Sequence, residues 1–279
     1  MEFLRTLTRE FEVGDKAELG IDNRTGMVTV RGEDAKRVRV EVVARLWAES
    51  EDEADDQMEL VARGVRQEGK RVTIRAPALP QSSLFMLFGR GTRIEYQVTA
   101  PRSSTGTVLN RSGRVEIENL AGPLSVEARS GRVTLREIRG DTRIVSRSGS
   151  VQAESIAGSL AVESRSGSVR VSGCAGSATV ISRSGSVQIE DVGGSLKIES
   201  RSGSVRYEGA VRGDFDINVT SGSVRLSVDP DSSFFLDAES ASGAVRSDMP
   251  LRRGGAAARA GGPTVRIRTR SGSIHIAPR

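Results

Sequence analysis

The chain has 279 residues and a formal net charge of +5, with 37% hydrophobic, 28% charged and only 4% aromatic residues. This composition excludes a disordered chain, and the scarcity of aromatic side chains favours a narrow core filled by small aliphatic residues. A single cysteine and a single histidine exclude an intramolecular disulfide and argue against a zinc site, so we expect no metal site and no cofactor.

The first thirteen residues, MEFLRTLTREFEV, carry charges throughout and lack the apolar run of a signal peptide. No segment approaches the roughly 18 consecutive apolar residues that a membrane span requires. As the chain stands, the expectation is a soluble cytoplasmic protein.

Residues 1–105 follow no repeat and are predicted to form an N-terminal capping segment. Short runs of alternating apolar residues predict strands at 27–30, 38–43, 71–74 and 94–98. Between them, Ser50 and Glu53 form a capping box that predicts a helix over about 51–65. The helix is expected to pack over an open end or side of the domain that follows. Its apolar stripe consists of Ala54, Met58, Val61, Ala62 and Val65.

From residue 106 onward, the tripeptide Arg-Ser-Gly recurs every 18 residues. Each unit holds two runs of alternating apolar residues separated by glycines, as in GSVQAESIAGSLAVESRS at 149–166. Such a unit is too short for a propeller blade or a βαβ unit. It predicts one coil of a parallel β-helix, in which each strand pairs with its counterpart 18 residues later, about 4.8 Å away.

The predicted fold class is therefore all-β: a single parallel β-helix (β-solenoid) of 18-residue coils, with an N-terminal β/α cap that contains one helix. Right-handed coiling is the default for parallel strands. The two predicted domains are the cap at 1–105 and the solenoid at 106–279. Within the solenoid, a Gly/Ala-rich loop is expected at 252–262, before a last strand pair.

Alternation along the coil predicts which side chains face inward. Ser164 and Ser166 should lie inside, hydrogen-bonded from coil to coil, whereas Glu163 and Arg165 should face solvent. The glycines are expected to turn the corners, where a positive φ or a close backbone approach excludes a Cβ.

Outward arginines form the candidate binding site. The Arg-Ser-Gly units predict one column of cations about 4.8 Å apart, which repel by around 1 kcal/mol per pair in water. Glu127, Glu163 and Glu199, each two residues before an arginine, are expected to neutralise half of this column. The candidate anion-binding column consists of Arg111, Arg129, Arg147, Arg165, Arg183 and Arg201.

Two interpretations of the column stay open. It is either a solvated, partly self-paired ladder or a site for a linear polyanion, such as an acidic polysaccharide, a teichoic acid, lipid headgroups or nucleic acid. Residues 1–105 carry 17 Lys/Arg and 18 Asp/Glu, and residues 106–279 carry 24 and 18, so the basic excess lies on the repeats. Nucleic acid is disfavoured, because interleaved aromatic side chains are missing.

Catalytic residues are not expected, and we predict that the protein is not an enzyme. Parallel β-helix hydrolases and lyases need clustered carboxylates. The candidate pairs here are Asp214 with Asp216 and Asp229 with Asp231, and the second pair lies in a turn-like DPDSS. Cys174, beside a turn glycine, is predicted to fill the lumen or a corner. His275 is predicted to be an outward strand residue without partners.

The whole chain, from about 11 to 276, resembles the bacterial DUF4097 family, often labelled "putative adhesin". The resemblance is carried by FEVGDKAELGIDNRTGMVTVRG near the start, by the strand at 38–43 followed by a helix, and by RIEYQVTAP leading into S-G-x-V-x-V repeats. It implies a β-solenoid without an established activity. Because many relatives are exported or membrane-attached, it also implies an association with the cell envelope.

The sequence thus predicts a non-enzymatic β-solenoid scaffold or adhesin-like binding module that engages an anionic polymer or a protein partner. The alternative is a structural element that self-associates by stacking through its coil ends. A polysaccharide-active enzyme is the less favoured third reading.

Overall fold

The computed structural model describes residues 1–77, 92–249, 251–252, 256–257 and 262–279. The chain divides into two compact units, Met1–Leu135 and Arg136–Arg279, here called the N-terminal unit and the C-terminal unit. Each unit contains parallel strands stacked one coil apart, so the predicted all-β solenoid fold is confirmed. The division into a capping segment at 1–105 and a solenoid at 106–279 stays a prediction.

Within its described residues, the N-terminal unit contains eight strands, one helix and most of a ninth strand. All four strands predicted in this region are present, each longer than its apolar run. The elements are β1 (Glu2–Glu12), β2 (Glu18–Asn23), β3 (Met27–Glu33), β4 (Arg37–Trp47), α1 (Glu51–Arg63), β5 (Val65–Glu68), β6 (Arg71–Arg75), β7 (Arg93–Pro101), β8 (Thr105–Glu118) and β9 (Leu124–Ile138).

A first solenoid coil lies within the segment that the sequence assigned to the cap. Strands β2 and β3 flank Gly26 and both pair in parallel with β8. Inside this coil the buried Asn23 donates from Nδ2 to Asn110 Oδ1 at 2.9 Å. On the other edge, β2 pairs with β6 and β3 pairs with β7, again in parallel. The sheet continues with two antiparallel pairings: β7 pairs with β4, and β4 pairs with β1.

Helix α1 begins where the capping box predicts. Ser50 Oγ accepts a hydrogen bond from the Glu53 amide at 3.2 Å, and the Glu53 carboxylate accepts from the Glu49 amide at 2.7 Å. The helix ends at Arg63, two residues earlier than predicted, because Val65 begins β5. It packs against β1, β4 and β5, which are the antiparallel strands of the unit.

The C-terminal unit contains the regular coils. Its strands are β10 (Thr142–Ser148), β11 (Val151–Ile156), β12 (Leu160–Ser166), β13 (Val169–Cys174), β14 (Ala178–Ser184), β15 (Val187–Val192), β16 (Leu196–Ser202), β17 (Val205–Gly209), β18 (Phe215–Ser221), β19 (Val224–Val228), β20 (Phe235–Ser242), β21 (Val245–Ser247), β22 (Leu251–Arg252), β23 (Ala256–Ala257), β24 (Thr264–Ser271) and β25 (Ile274–Pro278).

Two ladders of parallel strands build these coils, one from β10 through β18 and one from β11 through β19. Partners lie 18 residues apart along the regular part, as for Val162 and Val180. Inward positions such as these are fully buried and form a continuous aliphatic core. The 18-residue period of the sequence is thus the length of one coil.

The last strands of the chain stack out of chain order. Strand β24 lies between β18 and β20, since Ile267 pairs with both Ile217 and Ala238. Strand β25 likewise lies between β19 and β21. The predicted Gly/Ala-rich loop at 252–262 falls mostly outside the described residues. Among those described, β22 pairs antiparallel with β23, and β23 also pairs antiparallel with β20.

Glycines at the corners allow the backbones of successive coils to come into close contact. Gly167, Gly185 and Gly203 follow the Arg-Ser dipeptide of successive coils, and each has a φ between 123° and 130°. A Cβ built on Gly185 would lie 2.0 Å from the Gly167 carbonyl oxygen. Both the backbone conformation and the available space therefore require glycine, as the repeat predicted.

A Gly185→Ala substitution should lower the free energy of unfolding by at least about 2 kcal/mol, because it adds a steric clash to a strained φ. Urea unfolding followed by circular dichroism measures the loss. Gly69→Ala is the matched control: its φ is +59° and nothing lies within 4 Å of the added Cβ, so it should cost only about 1 kcal/mol. Equal losses in the two variants would contradict the close-packed corner.

A buried tyrosine fills the lumen of the C-terminal unit near β18. The ring of Tyr207 meets Phe215 edge to face at 4.8 Å, and its hydroxyl donates to the Ala210 carbonyl oxygen at 2.6 Å. Burial, with a smaller contribution from the carboxylates of Asp191 and Asp229, raises the pKa of Tyr207 to about 12. The folded protein therefore holds this phenol neutral at a pH at which the unfolded chain ionises it.

Alkaline pH should weaken the fold through this residue. Because the folded pKa lies above the unfolded value near 10, the contribution of Tyr207 is fully present below pH 10 and is lost as the pH rises towards 12. The free energy of unfolding should fall by roughly 1 kcal/mol per pH unit in that window. Tyr207→Phe, measured by urea unfolding at the same pH values, should show a shallower fall. Identical slopes would rule out Tyr207 as the group responsible.

Candidate functional site

An open groove of about 830 Å³ runs across seven strands of the C-terminal unit. Two rows of outward side chains line it, one residue from each strand. In the stacking order of the strands, the arginine row consists of Arg147, Arg165, Arg183, Arg201, Thr220, Arg270 and Ala241. The row beside it, here called the alternating row, consists of Val145, Glu163, Ile181, Glu199, Asn218, Arg268 and Glu239.

Strand register creates both rows. On each of the regular strands the alternating-row residue comes two positions before the arginine, and the residue between them points inward. These inward residues pair directly, as Ser164 does with Ser182 and Ser182 with Ser200. The Cα atoms of successive arginines are therefore held about 4.8 Å apart. The side chains of these arginines are all exposed.

The predicted arginine column is divided between the two units. Arg147, Arg165, Arg183 and Arg201 line the groove. Arg111 and Arg129 belong to the N-terminal unit, where they precede the stacked corner glycines Gly113 and Gly131.

The groove also contains an arginine that the predicted column omitted. Strand β24 inserts beside β18 and so brings Arg270 next to Thr220. The Arg-Ser-Gly triplet at 270 was the available sequence signal. Its place in the row could not be read from the sequence, because it depends on the insertion.

The expected neutralisation of the column by glutamates is wrong. Glu163 pairs with Arg143 at 2.5 Å, and Glu199 pairs with Lys197 at 2.9 Å. Arg143 and Lys197 are outward residues within a strand, away from the corner, and the two carboxylates reach them directly. Glu127 makes no ion pair within the part of the chain that the structure describes, and neither does any of the six predicted arginines. Arg147, Arg165, Arg183 and Arg201 are consequently a line of positive charge without an ion-paired partner among the described residues.

Buried hydroxyl groups lie between the two rows. They belong to Ser146, Ser164, Ser182, Ser200 and Thr269, and none has a hydrogen-bond partner among the described residues. The predicted coil-to-coil hydrogen bonds of Ser164 are therefore not formed. Ser166, also predicted to face inward, is exposed. The inward alternation ends there, because the chain turns at Gly167.

The predicted carboxylate pairs make hydrogen bonds to neighbouring residues. Asp214 Oδ1 accepts from the Thr264 amide at 2.7 Å, and Asp216 Oδ1 accepts from Asn218 Nδ2 at 2.8 Å. The Asp229 carbonyl accepts from the Ser232 amide at 2.9 Å, which is the turn that DPDSS predicts. In the described ranges no group of three or more His, Cys, Asp or Glu side chains could hold a metal ion.

The predictions for the single cysteine and the single histidine have different outcomes. Cys174 is buried, as predicted, and burial raises the pKa of its thiol, so the reactive thiolate is disfavoured. His275, predicted to have no partner, lies with Nε2 2.7 Å from Asp248 Oδ2. The prediction failed because β25 stacks against β21 out of chain order, which brings Asp248 alongside.

The family model described as Toastrack DUF4097 matches residues 17–277, which is most of the chain. The chain belongs to the Toastrack DUF4097 family. The resemblance drawn from the sequence is thereby confirmed. No curated protein matches the sequence. No helix of this Toastrack protein, within the residues described, is long and apolar enough to cross a membrane.

Solved structures that resemble this Toastrack chain include three bacterial proteins. A "putative cell adhesion protein" from Clostridium sporogenes is 12% identical, with 99% of this chain and 100% of that chain covered and a TM-score of 0.30. A "putative lipid binding protein" from Parabacteroides distasonis is 12% identical, with 97% and 96% covered and a TM-score of 0.44. A "putative adhesin" from Bacteroides fragilis is 16% identical, with 99% and 97% covered and a TM-score of 0.33. Sequence identities and TM-scores this low give no basis for assigning the function of these proteins to this chain.

Removing a buried, unpartnered hydroxyl should stabilise the Toastrack fold. Ser182→Ala is expected to raise the free energy of unfolding by about 1 kcal/mol. Folding of the native protein removes water from a hydroxyl that then has no hydrogen-bond partner, and the alanine variant avoids this cost. Ser184→Ala, an exposed serine on the same strand, is the control and should change it by less than about 0.5 kcal/mol. Chemical denaturation measures both. A loss of stability in Ser182→Ala alone would show that this hydroxyl has a partner.

Proposed function

We propose that this Toastrack protein is a non-enzymatic binding module that holds a linear polyanion along the arginine row of the C-terminal unit. The observation that carries the proposal is the run of four arginines on successive coils, Arg147 to Arg201, none of which pairs with a carboxylate of the described chain. The groove beside them provides the space for an elongated ligand.

Electrostatics favour an occupant of negative charge. Neighbouring guanidinium groups repel by around 1 kcal/mol per pair even in water, and a ligand that places an anion between them relieves the repulsion. Guanidinium groups also bind carboxylate, sulfate and phosphate groups through two parallel hydrogen bonds. The spacing of the arginine Cα atoms is fixed, because each arginine stands on a strand of the solenoid.

The spacing of the row favours a polymer over a single small anion. Arg147 and Arg201 are separated by three coil steps, or about 14 Å. Beyond them Thr220 interrupts the row before Arg270. A polymer that follows the solenoid axis can contact four consecutive arginines at once, and the gain of each weak contact accumulates along the chain.

The state of the carboxylates supports a binding rather than a catalytic role. Glu163 and Glu199, which also line the groove, are held in ion pairs with Arg143 and Lys197. A carboxylate that a cation already engages is less available to act on a substrate.

Replacing three arginines of the groove by glutamate tests the proposal. The variant Arg147→Glu, Arg165→Glu, Arg183→Glu should elute from heparin resin at lower salt than the native protein. Its affinity should fall at least about tenfold, because three contacts of about 0.5–1 kcal/mol each are lost.

The matched control moves the same charge change to the other strand ladder of the same unit: Arg170→Glu, Arg206→Glu, Arg225→Glu. These arginines lie outside the groove, so this variant should elute close to the native protein. Unchanged retention of the groove variant would refute the proposal. Equal losses in both variants would show that net charge, not the arginine row, governs retention.

A further inference from the structure

The alternating row has a repeat of two coils, unlike the arginine row. Over the four coils that carry Arg147 to Arg201 it reads apolar, acidic, apolar, acidic: Val145, Glu163, Ile181 and Glu199. Each is the direct register partner of the next. The arginines therefore recur about every 4.8 Å, whereas the apolar positions recur about every 9.6 Å.

The two kinds of position in the alternating row differ in what they offer a ligand. The glutamates are engaged by Arg143 and Lys197. Ile181 is 41% exposed although it faces the groove, and Val145 is half-buried. A single exposed isoleucine needs no explanation. Its recurrence in phase with Val145, beside an unbroken line of arginines, matches a ligand with the same two periods.

We infer that the ligand is a polysaccharide with a disaccharide repeat, which carries an anionic group on every sugar and an N-acetyl group on every second sugar. This inference rests on the proposed function and names the class of polyanion. Each sugar would place its anion on one arginine, and each acetyl methyl group would contact Ile181 or Val145. Four coils then accommodate one tetrasaccharide.

Three other kinds of linear polyanion have repeats that differ from the spacing of the coils. An extended peptide repeats its same-side residues about every 6.6 Å, an α-helix repeats its turns about every 5.4 Å, and the phosphates of one strand of duplex DNA rise about 3.4 Å per nucleotide along the helix axis. An acidic polyproline II peptide, with a turn of about 9.3 Å, matches two coils. Such peptides are usually bound in grooves lined by aromatic residues, and no aromatic residue is among the described lining residues here.

The test compares two sulfated polysaccharides by isothermal titration calorimetry. Chondroitin sulfate has the alternating N-acetyl group, and dextran sulfate lacks it. Ile181→Ser should weaken the binding of chondroitin sulfate about fourfold, the loss expected for one buried methyl contact, and should leave dextran sulfate unchanged. Ile181→Val should retain most of the affinity.

Leu109→Ser is the matched control, since Leu109 is an exposed strand residue of the N-terminal unit and 43% accessible. It should change neither affinity. Arg183→Glu should weaken the binding of both polymers, which tests the proposed function separately.

The outcomes distinguish the two proposals. If Ile181→Ser weakens both polymers equally, or neither, while Arg183→Glu weakens both, the inference on the repeat is overturned and the arginine row stands. If the native protein binds neither polymer, both fail. If an acidic proline-rich peptide binds in an Ile181-dependent manner and chondroitin sulfate does not, the ligand is a peptide and the inference is overturned.

Discussion

Backbone contact between the corner glycines is the constraint on which the rest of this structure depends. A Cβ on Gly167, Gly185 or Gly203 would lie within 2.0 Å of the carbonyl oxygen of the preceding corner. The coils can therefore approach to the strand spacing only where glycine turns the chain. Once the corners stack, the register of every strand is set, and each position of the repeat becomes a row along the unit.

Register of this kind turns sequence repetition into surface chemistry. In an ordinary globular domain, identical residues at regular intervals scatter over the surface, whereas here they align at about 4.8 Å. The alignment brings four unpaired arginines together despite their repulsion, because the aliphatic ladder inside stabilises the coils and the side chains outside cannot alter their spacing. Glu163 and Glu199 form no ion pair with these arginines, since Arg143 and Lys197 engage them.

Sequence reasoning succeeded where neighbours in space are separated by a constant number of residues. The coil length, the inward aliphatic ladder and the need for glycine at Gly185 all follow from the 18-residue period. It failed where that relation breaks. Ser166 lies at a corner where alternation ends, and His275 meets Asp248 only because the last strands insert out of order. Glu163 and Glu199 each had two cations within reach, and their spacing in the sequence could not decide with which cation each one pairs.

The sequence by itself determined the solenoid, the family and the line of arginines, because parallel strands convert a fixed period into a fixed spacing. Only the tertiary structure decided which carboxylates pair with which cations, where Arg270 joins the row, and that the arginines border a groove with an apolar and acidic alternation. These features depend on side-chain reach and on the stacking order of β24, and neither is encoded in the period of the repeat.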